Sequence, residues 1–468
     1  MMKSFLISGD RSGAGKTSIT LGLAGLLAKD AVVQTYKVAM DYIDTSYLSG
    51  VTGRPSYNLD TFVQTDEELA GLFSYGAEGA DIGIVEGVRG LYEGRDSFTD
   101  VGSTAAIAKR FSLPTILVID ARSITRSAAA LVKGFQAFDP DVRIKGVILN
   151  NTGGGHHVTK ATEAIEHYCG IPVLGAVPRS PEMDLSMRHL GLVPFVEGMR
   201  DPGFAKTIDG IIRHVGAHVD LDAIKALAED VTPQPNNITA SLASRPAASR
   251  TVAIAFDEAF TFYYGELEAV LKSQGCDVVR FSPLHDTLPE ADGYIFGGGY
   301  PEMFAEELSK NVLMREAVHA KAKDGVPIYA ECGGLMYLTR SITLKNGWLG
   351  REGDAVYPMC GIFAGDTVMP AGKTLRYVEG TAVLAGKSYP FKGHEFHYSG
   401  VSMDADSRFL YTLSRGTGII DGKDGVVFNN ALGSYTHLMP VSAEGILAEI
   451  FGEERGKQYI KADSPQTL

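Results

Sequence analysis

Short apolar runs rich in β-branched residues alternate with amphipathic stretches through the first half of the chain. "SFLIS", "VVQTYKV", "IGIVEG", "TILVID", "IKGVILN" and "VLGAV", each bounded by Gly, Pro or charge, predict buried strands. "TSITLGLAGLLAK" and "SAAALVKGFQAF" between them carry a helical period. Strict alternation of strand and helix predicts an α/β fold built on a mostly parallel, doubly wound sheet. The period fails near residue 230, where "VTPQPNNITASLASRPAASR" is rich in Pro, Ser, Asn and Ala, so residues 231–250 are expected to form a linker. Alternation resumes with "TVAIAFD", "CDVVRF", "GYIFGG" and "PIYAEC". The pattern predicts a first domain over 1–230 and a second α/β domain over 251–468, with no internal repeat relating them.

Composition narrows the class of partner. At 468 residues the chain exceeds one ordinary core. Its 45% hydrophobic and 21% charged content is that of a globular protein. A net charge of −13 argues against a polyanionic partner, whether nucleic acid or membrane surface. No apolar run approaches the roughly 20 residues that span a bilayer, and "MMKSFLISGD" is too short in apolar residues for a signal peptide. Cys169, Cys276, Cys332 and Cys360 are scattered without a CxxC pair, which suits a reducing, cytoplasmic setting and predicts neither a zinc site nor a disulfide framework.

The segment "GDRSGAGKTS" joins the first predicted strand to the first predicted helix. That context is what a phosphate-binding loop requires, because backbone N–H groups and the helix N-terminus together hold the anion. Gly13, Gly15, Lys16, Thr17 and Ser18 are the candidate nucleotide residues, with Lys16 reaching the β- and γ-phosphates and Thr17 offering its hydroxyl to Mg²⁺. Asp10 occupies the place of the first glycine expected in such a loop, and Gly9 stands one position early. Downstream, "YKVAMDYIDTSYLSG" puts Lys37, Asp41 and Asp44 at and beyond a strand's C-terminal end, where open α/β sheets bind ligands. Helix N-capping is the competing role for the two acids. "IGIVEGVRGLYEGRD" places Glu86 at another strand end and Glu93 after it. Carboxylates converging beside a triphosphate are Mg²⁺ ligands or substrate orienters. ATP and Mg²⁺ are therefore the expected cofactors.

With its early glycine, "GDRSGAGKT" resembles the loop of dethiobiotin synthetase and the amidating synthetases related to it. Partition and division-site ATPases share that fold and carry a signature lysine about where Arg11 stands. "DYID", "TGRPSYNLD", "EGVRGLYEG", "GFQAFDPDVRIKGVILN" and "MRHLGLVP" fall in the order and at the spacing of the cobyrinic acid a,c-diamide synthase family. That family also contains the Ni-sirohydrochlorin a,c-diamide synthases, and the resemblance runs from about residue 3 to about residue 447. It implies that Lys16 and Thr17 bind ATP phosphates and Mg²⁺ and that Glu86 is a Mg²⁺ ligand. It also implies that Asp41, Tyr42 and Asp44 lie by the reacting carboxylate and that Asn150 reads the adenine edge. Lys37 and Arg54 are candidate substrate binders, and Arg89, Arg95 and Arg188 are further cations suited to a flat polycarboxylate. Ala39-Met40 replaces the family's usual Gly-Pro, and Glu93 replaces its usual Asp. Both departures bear on which macrocycle is bound.

In the second half, "GVPIYAECGGLMYL" puts Cys332 between a predicted strand and a predicted helix with two glycines following. This is the sequence of a nucleophile elbow, and a helix N-terminus favours the thiolate. "GYIFGGGYPE" supplies Gly298 and Gly299, whose N–H groups can face an oxyanion together with that of Gly333. By resemblance, His437 in "GSYTHLMP" is the catalytic histidine of a flavodoxin-like class I glutamine amidotransferase domain. Many such domains place Glu two residues after that histidine; Met439 stands there instead, so an orienting carboxylate is either absent or supplied from elsewhere. His394, Glu395 and His397 are expected at a domain joint or a substrate cleft.

Taken together, the resemblance implies glutamine, ATP and a tetrapyrrole macrocycle as small-molecule partners, and two successive amidations at a and c acetate side chains. Three rivals compete. Cobyric acid synthase would show Gln-Asn-Met where this chain has "KVAMDYID", a partition-type ATPase switch needs no Cys332, and a pseudo-glutaminase needs no intact Cys332 and His437 pair. A homodimer is the expected assembly on base rates.

Overall fold

The apolar runs of the first half become strands because helices cover both faces of their sheet and leave no exposed side to keep polar. In the computed structural model, which describes residues 1–183, 187–188 and 191–452, the chain divides into two compact units, Met1–Thr239 and the chain from Ala240 onward. In the first unit, β1 (Met2–Gly9), β2 (Val33–Val38), β3 (Tyr57–Leu59), β4 (Ile82–Gly90), β5 (Thr115–Asp120), β6 (Ile144–Thr152) and β7 (Val173–Pro178) lie in the order β3-β2-β4-β1-β5-β6-β7. All of these pairs are parallel, so the C-terminal ends of the strands share one edge. β2 and β5 are buried along their whole length. β3 is too short for an apolar period to announce it.

Helix α1 (Lys16–Leu27) follows β1 directly, and α2 (Tyr42–Thr52) and α3 (Asp66–Ala77) follow β2 and β3. α1 lies so close to the helix Phe204–Gly216 that a Cβ on Gly22 would stand 2.6 Å from Val215 and one on Gly25 2.5 Å from Ile212. Small residues on α1 therefore serve helix packing.

Residues 231–250 are more structured than a linker. A strand, Glu229–Val231, pairs antiparallel with β1, and a short helix covers Asn237–Ala243. Asn236 accepts from the Ile238 and Thr239 amides and donates to the Glu67 carbonyl, while Thr239 donates to Gly71 O at 3.0 Å. Asx capping gives this polar segment an ordered structure without an apolar period.

The second unit carries a ten-stranded sheet. Its parallel half runs Cys276–Phe281, Arg250–Ala255, Gly293–Phe296, Ile328–Glu331, Ala431–Ser434, the 2-1-3-4-5 order of a flavodoxin-like sheet. Beyond it the sheet turns antiparallel through Lys423–Phe428, Arg408–Arg415, Thr374–Leu384, Lys387–His397 and His437–Leu438. A simple alternation of strand and helix did not foretell this antiparallel half. Among the described residues, no helix is long and apolar enough to cross a membrane.

Candidate functional site

The loop after β1 turns where glycine permits it. A Cβ on Gly9 would stand 2.9 Å from the Arg11 carbonyl, so the tight approach occurs one residue before the usual position. Gly13 and Gly15 adopt φ of 79° and 87°, left-handed values that suit glycine. Gly15 caps α1, and Lys16 and Thr17 open the helix. Asn150, at the end of β6, donates through Nδ2 to Ala14 O at 2.9 Å, which braces the loop. Ser18 follows on the helix, and its hydroxyl donates to Met183 O at 3.1 Å, which ties down the chain after β7.

The strand ends next to the loop converge on a buried charge cluster. Lys37 Nζ lies 2.5 Å from Asp44 Oδ2 and 2.8 Å from Glu86 Oε1, and it also donates to Gly87 O at 3.1 Å. Thr17 Oγ1 donates to the same Glu86 oxygen at 2.9 Å and reaches Asp44 Oδ2 at 3.2 Å. Burial pushes Glu86 up to about 7 against the pull of Lys37. Asp44 is buried too, but Lys37 outweighs that and holds it low. Burial would lower Lys37; the charges of Asp44 and Glu86 prevail and raise it. Burial, then the Lys37 ammonium, lower Lys16.

The two acids of "DYID" divide their roles. Asp41 is the N-cap of α2, its Oδ1 accepting from the amides of Ile43 at 3.0 Å and Asp44 at 2.9 Å. Asp44, one turn in, reaches Lys37 and Thr17 instead. Burial, then the charge of Asp44, raise Asp41. Tyr42 is buried at the start of α2.

Two expected substrate residues have their charges engaged within the protein. Lys37 is only 1% exposed and fully engaged, so it organises carboxylates rather than offering a cation to a ligand. Arg54 donates to Gln34 Oε1 at 3.1 Å and to the carbonyls of Gly76 and Glu78 at 3.1 and 2.9 Å. Gln34 lies at the N-terminal end of β2, so Arg54 caps α3 at the sheet edge opposite the loop. Glu93 is exposed and folded against Gly90, outside the hydrogen-bonded cluster of Thr17, Lys37, Asp44 and Glu86. Arg89 is exposed at the end of β4 with φ of 50°, and Arg95 pairs with Asp96. The side chain of Arg188 lies outside the described residues.

In the second unit, Cys332 sits at the elbow between Ile328–Glu331 and the helix Gly333–Leu338, with φ 46° and ψ −98°. A backbone strained in this way is that of a nucleophile elbow, in which the side chain projects from the turn. Glycine is obligatory around it. A Cβ on Gly334 would stand 2.0 Å from Phe296 O, and one on Gly299 2.1 Å from Ala259 O, with φ of 155° there. A Cβ on Gly333 would stand 3.0 Å from the Gly299 nitrogen, which puts two of the three expected oxyanion donors side by side.

His437 lies on the short strand beside Lys387–His397 and is fully buried. Its Nδ1 is 3.2 Å from Glu331 Oε2. Burial lowers its pKa, but the Cys332 thiol and Glu331 carboxylate beside it raise it to about 10. The carboxylate at this histidine therefore comes from the residue before the cysteine, and Met439 is buried apolar packing. In the sequence this acid stands beside the cysteine, in "AECGG", and not downstream of the histidine where the usual pattern places it. His394 and His397, expected at a domain joint or substrate cleft, are buried in this same neighbourhood. His394 stacks on His437 with centroids 5.1 Å apart, and His397 on Tyr435 at 3.7 Å. Burial lowers both pKa values, that of His397 to about 4. Glu395 turns away to accept the amides of Thr417 and Gly418.

These features define a glutamine amidotransferase joined to a nucleotide-binding domain. Residues 5–193 match the CobQ/CobB/MinD/ParA nucleotide binding domain, and residues 251–444 match the CobB/CobQ-like glutamine amidotransferase domain. The chain is 48% identical to cobyrinate a,c-diamide synthase of Methanosarcina barkeri, with 93% of each chain covered. It is 45% identical to the protein of that name from Methanosarcina acetivorans, covering 97% of this chain and 96% of the relative. For the Methanosphaera stadtmanae protein of the same name the identity is 39%, over 93% and 95%. The chain belongs to the cobyrinate a,c-diamide synthase family.

Proposed function

We propose that this chain uses ATP and glutamine to amidate the a and c acetate side chains of a cobyrinate- or Ni-sirohydrochlorin-type macrocycle. The observation that carries the reading is the presence in one chain of a phosphate loop backed by the Lys37 cluster and a Cys332–His437 elbow. Relatives named for that reaction support it.

In the second unit, His437 takes the Cys332 proton at Nε2 and the sulfur attacks the glutamine side-chain carbonyl. The N–H groups of Gly299 and Gly333 receive the oxyanion. His437 then returns the proton to the leaving nitrogen, the C–N bond breaks, and ammonia departs; water hydrolyses the thioester to glutamate. Free ammonia does not displace oxygen from an unactivated carboxylate at neutral pH. In the first unit, Lys16 and the loop amides hold the γ-phosphate while the macrocycle carboxylate attacks it and ADP leaves. Ammonia then displaces phosphate from the acyl phosphate to leave the amide.

Thr17 and Glu86 fit Mg²⁺: their oxygens lie 2.9 Å apart, and Glu86 Oε2 is buried with no hydrogen-bond partner among the described residues. Mg²⁺ takes oxygen ligands around bound phosphates, so the phosphates themselves would supply the rest of its shell. Bound there, Mg²⁺ would offset charge on the phosphates. A cytoplasmic setting rests on the charge and cysteine pattern, and a homodimer on base rates alone.

Phosphate and glutamate release, measured with cobyrinic acid and Ni-sirohydrochlorin in turn, tests the reading. One macrocycle is expected to gain two amides, with Cys332→Ser active only on free ammonia. Phosphate release that ignores both macrocycles would favour an ATPase switch and overturn it.

A further inference from the structure

The carboxylate of Glu331 meets three groups. Oε1 accepts the Tyr329 hydroxyl at 2.7 Å and the Leu438 amide at 3.0 Å, and Oε2 faces His437 Nδ1 at 3.2 Å. Its position follows from the sheet: Glu331 pairs with Ser434, and three residues later that neighbouring segment presents His437. The Leu438 amide fixes the carboxylate to the backbone just past the histidine, so ring and acid are held by one strand segment. Tyr263 and Tyr411 are the other titratable groups near Glu331, and His394, His397 and Cys332 those near His437. A small cavity of about 20 Å³, lined by Tyr263, Tyr329, Glu331 and Leu438, is the space left beside the acid.

We infer that Glu331 is the positioning residue of the Cys332–His437 pair, filling from the position before the nucleophile the role that other amidotransferases give to a glutamate two residues after the histidine. By accepting Nδ1–H it fixes the tautomer whose Nε2 takes the thiol proton, and it stabilises the imidazolium once formed. Asp424 supports the same segment from the far side, accepting the amides of Tyr435 and Thr436 and the Thr436 hydroxyl.

This inference rests on the second unit being a glutaminase, and the test separates the two. Glutamate release is measured across pH for the wild type, Glu331→Gln and Tyr329→Phe, each as the full chain, with ammonia-supported amidation reporting that the chain is folded. In Glu331→Gln, glutamine-dependent kcat is expected to fall roughly 10²–10⁴-fold with little change in KM for glutamine. The alkaline limb should move to lower pH, because losing the acid lowers the His437 pKa. Tyr329→Phe, which keeps the acid, should show a milder loss and a smaller shift in that limb. An unchanged limb in Glu331→Gln, or a loss in KM alone, overturns the positioning role. No glutamate release by the wild type overturns the functional reading instead.

Discussion

Replacing Lys37 by methionine removes the ammonium held between Asp44 and Glu86 while leaving a side chain of similar length. The partners are buried, so water cannot fully compensate the two carboxylates that remain. Removing one member of a buried ion pair costs about 3–5 kcal/mol, and in a unit of this size each kcal/mol moves the melting temperature about 2–4 °C, so a fall of about 6–20 °C is expected. The pH dependence follows from Glu86, which burial pushes up to about 7 from its ordinary value of 4.5. A raised carboxyl contributes its stability below its unfolded pKa and loses it as pH rises through the folded one. Without Lys37 the folded pKa climbs further, so Lys37→Met should cost more at pH 8 than at pH 5.5. Adding Glu86→Gln should recover part of the loss, since it removes the charge left unpaired. Scanning calorimetry on the full chain measures the shift, and hydrogen exchange over residues 1–239 locates it. A change under about 3 °C at both pH values, or no recovery in the double variant, would refute the buried cluster.

Gly299→Ala should cost glutamine-dependent turnover about 10²-fold or more while sparing ammonia-dependent amidation, because the new methyl would lie 2.1 Å from Ala259 O and displace an oxyanion donor; steady-state assays with the two nitrogen sources decide it. Glu266 is fully buried, neither oxygen has a hydrogen-bond partner among the described residues, and burial raises its pKa to about 8. In the wild type its penalty grows as pH rises from the unfolded value toward 8, so Glu266→Gln should stabilise the second unit at pH 8.5 and barely at pH 4.5, as read by denaturant unfolding at each pH.

Much of this protein was legible in order along the chain. The strands of the first unit, the phosphate loop and the cysteine elbow depend on local backbone demands: period, glycine at left-handed φ, and a strand running straight into a helix. The acids of "DYID" were recognisable as a pair but not separable, because N-capping and ion pairing both suit an aspartate at a helix start. Contacts decided that Asp41 caps and Asp44 pairs. Lys37 and Arg54 looked like cations for a ligand, since sequence shows a charge but not its partners. Lys37 is absorbed by Glu86 on the neighbouring strand and by Asp44 on the helix that follows its own strand, and Arg54 by helix-end carbonyls at the opposite edge.

By itself, then, the sequence determined two α/β units, a glycine-rich strand-to-helix loop, a cysteine at a strand-to-helix elbow and the family. Only the tertiary structure decided which groups serve them: Glu331 beside His437, Lys37 between Asp44 and Glu86, Asn150 under the loop. The physical reason is that most of these partnerships, Lys37 with Glu86, Asn150 with the loop and Glu331 with His437, join segments far apart in the chain. Sheet register and burial set them, and burial forces each charged or polar group to find a partner wherever the fold supplies one.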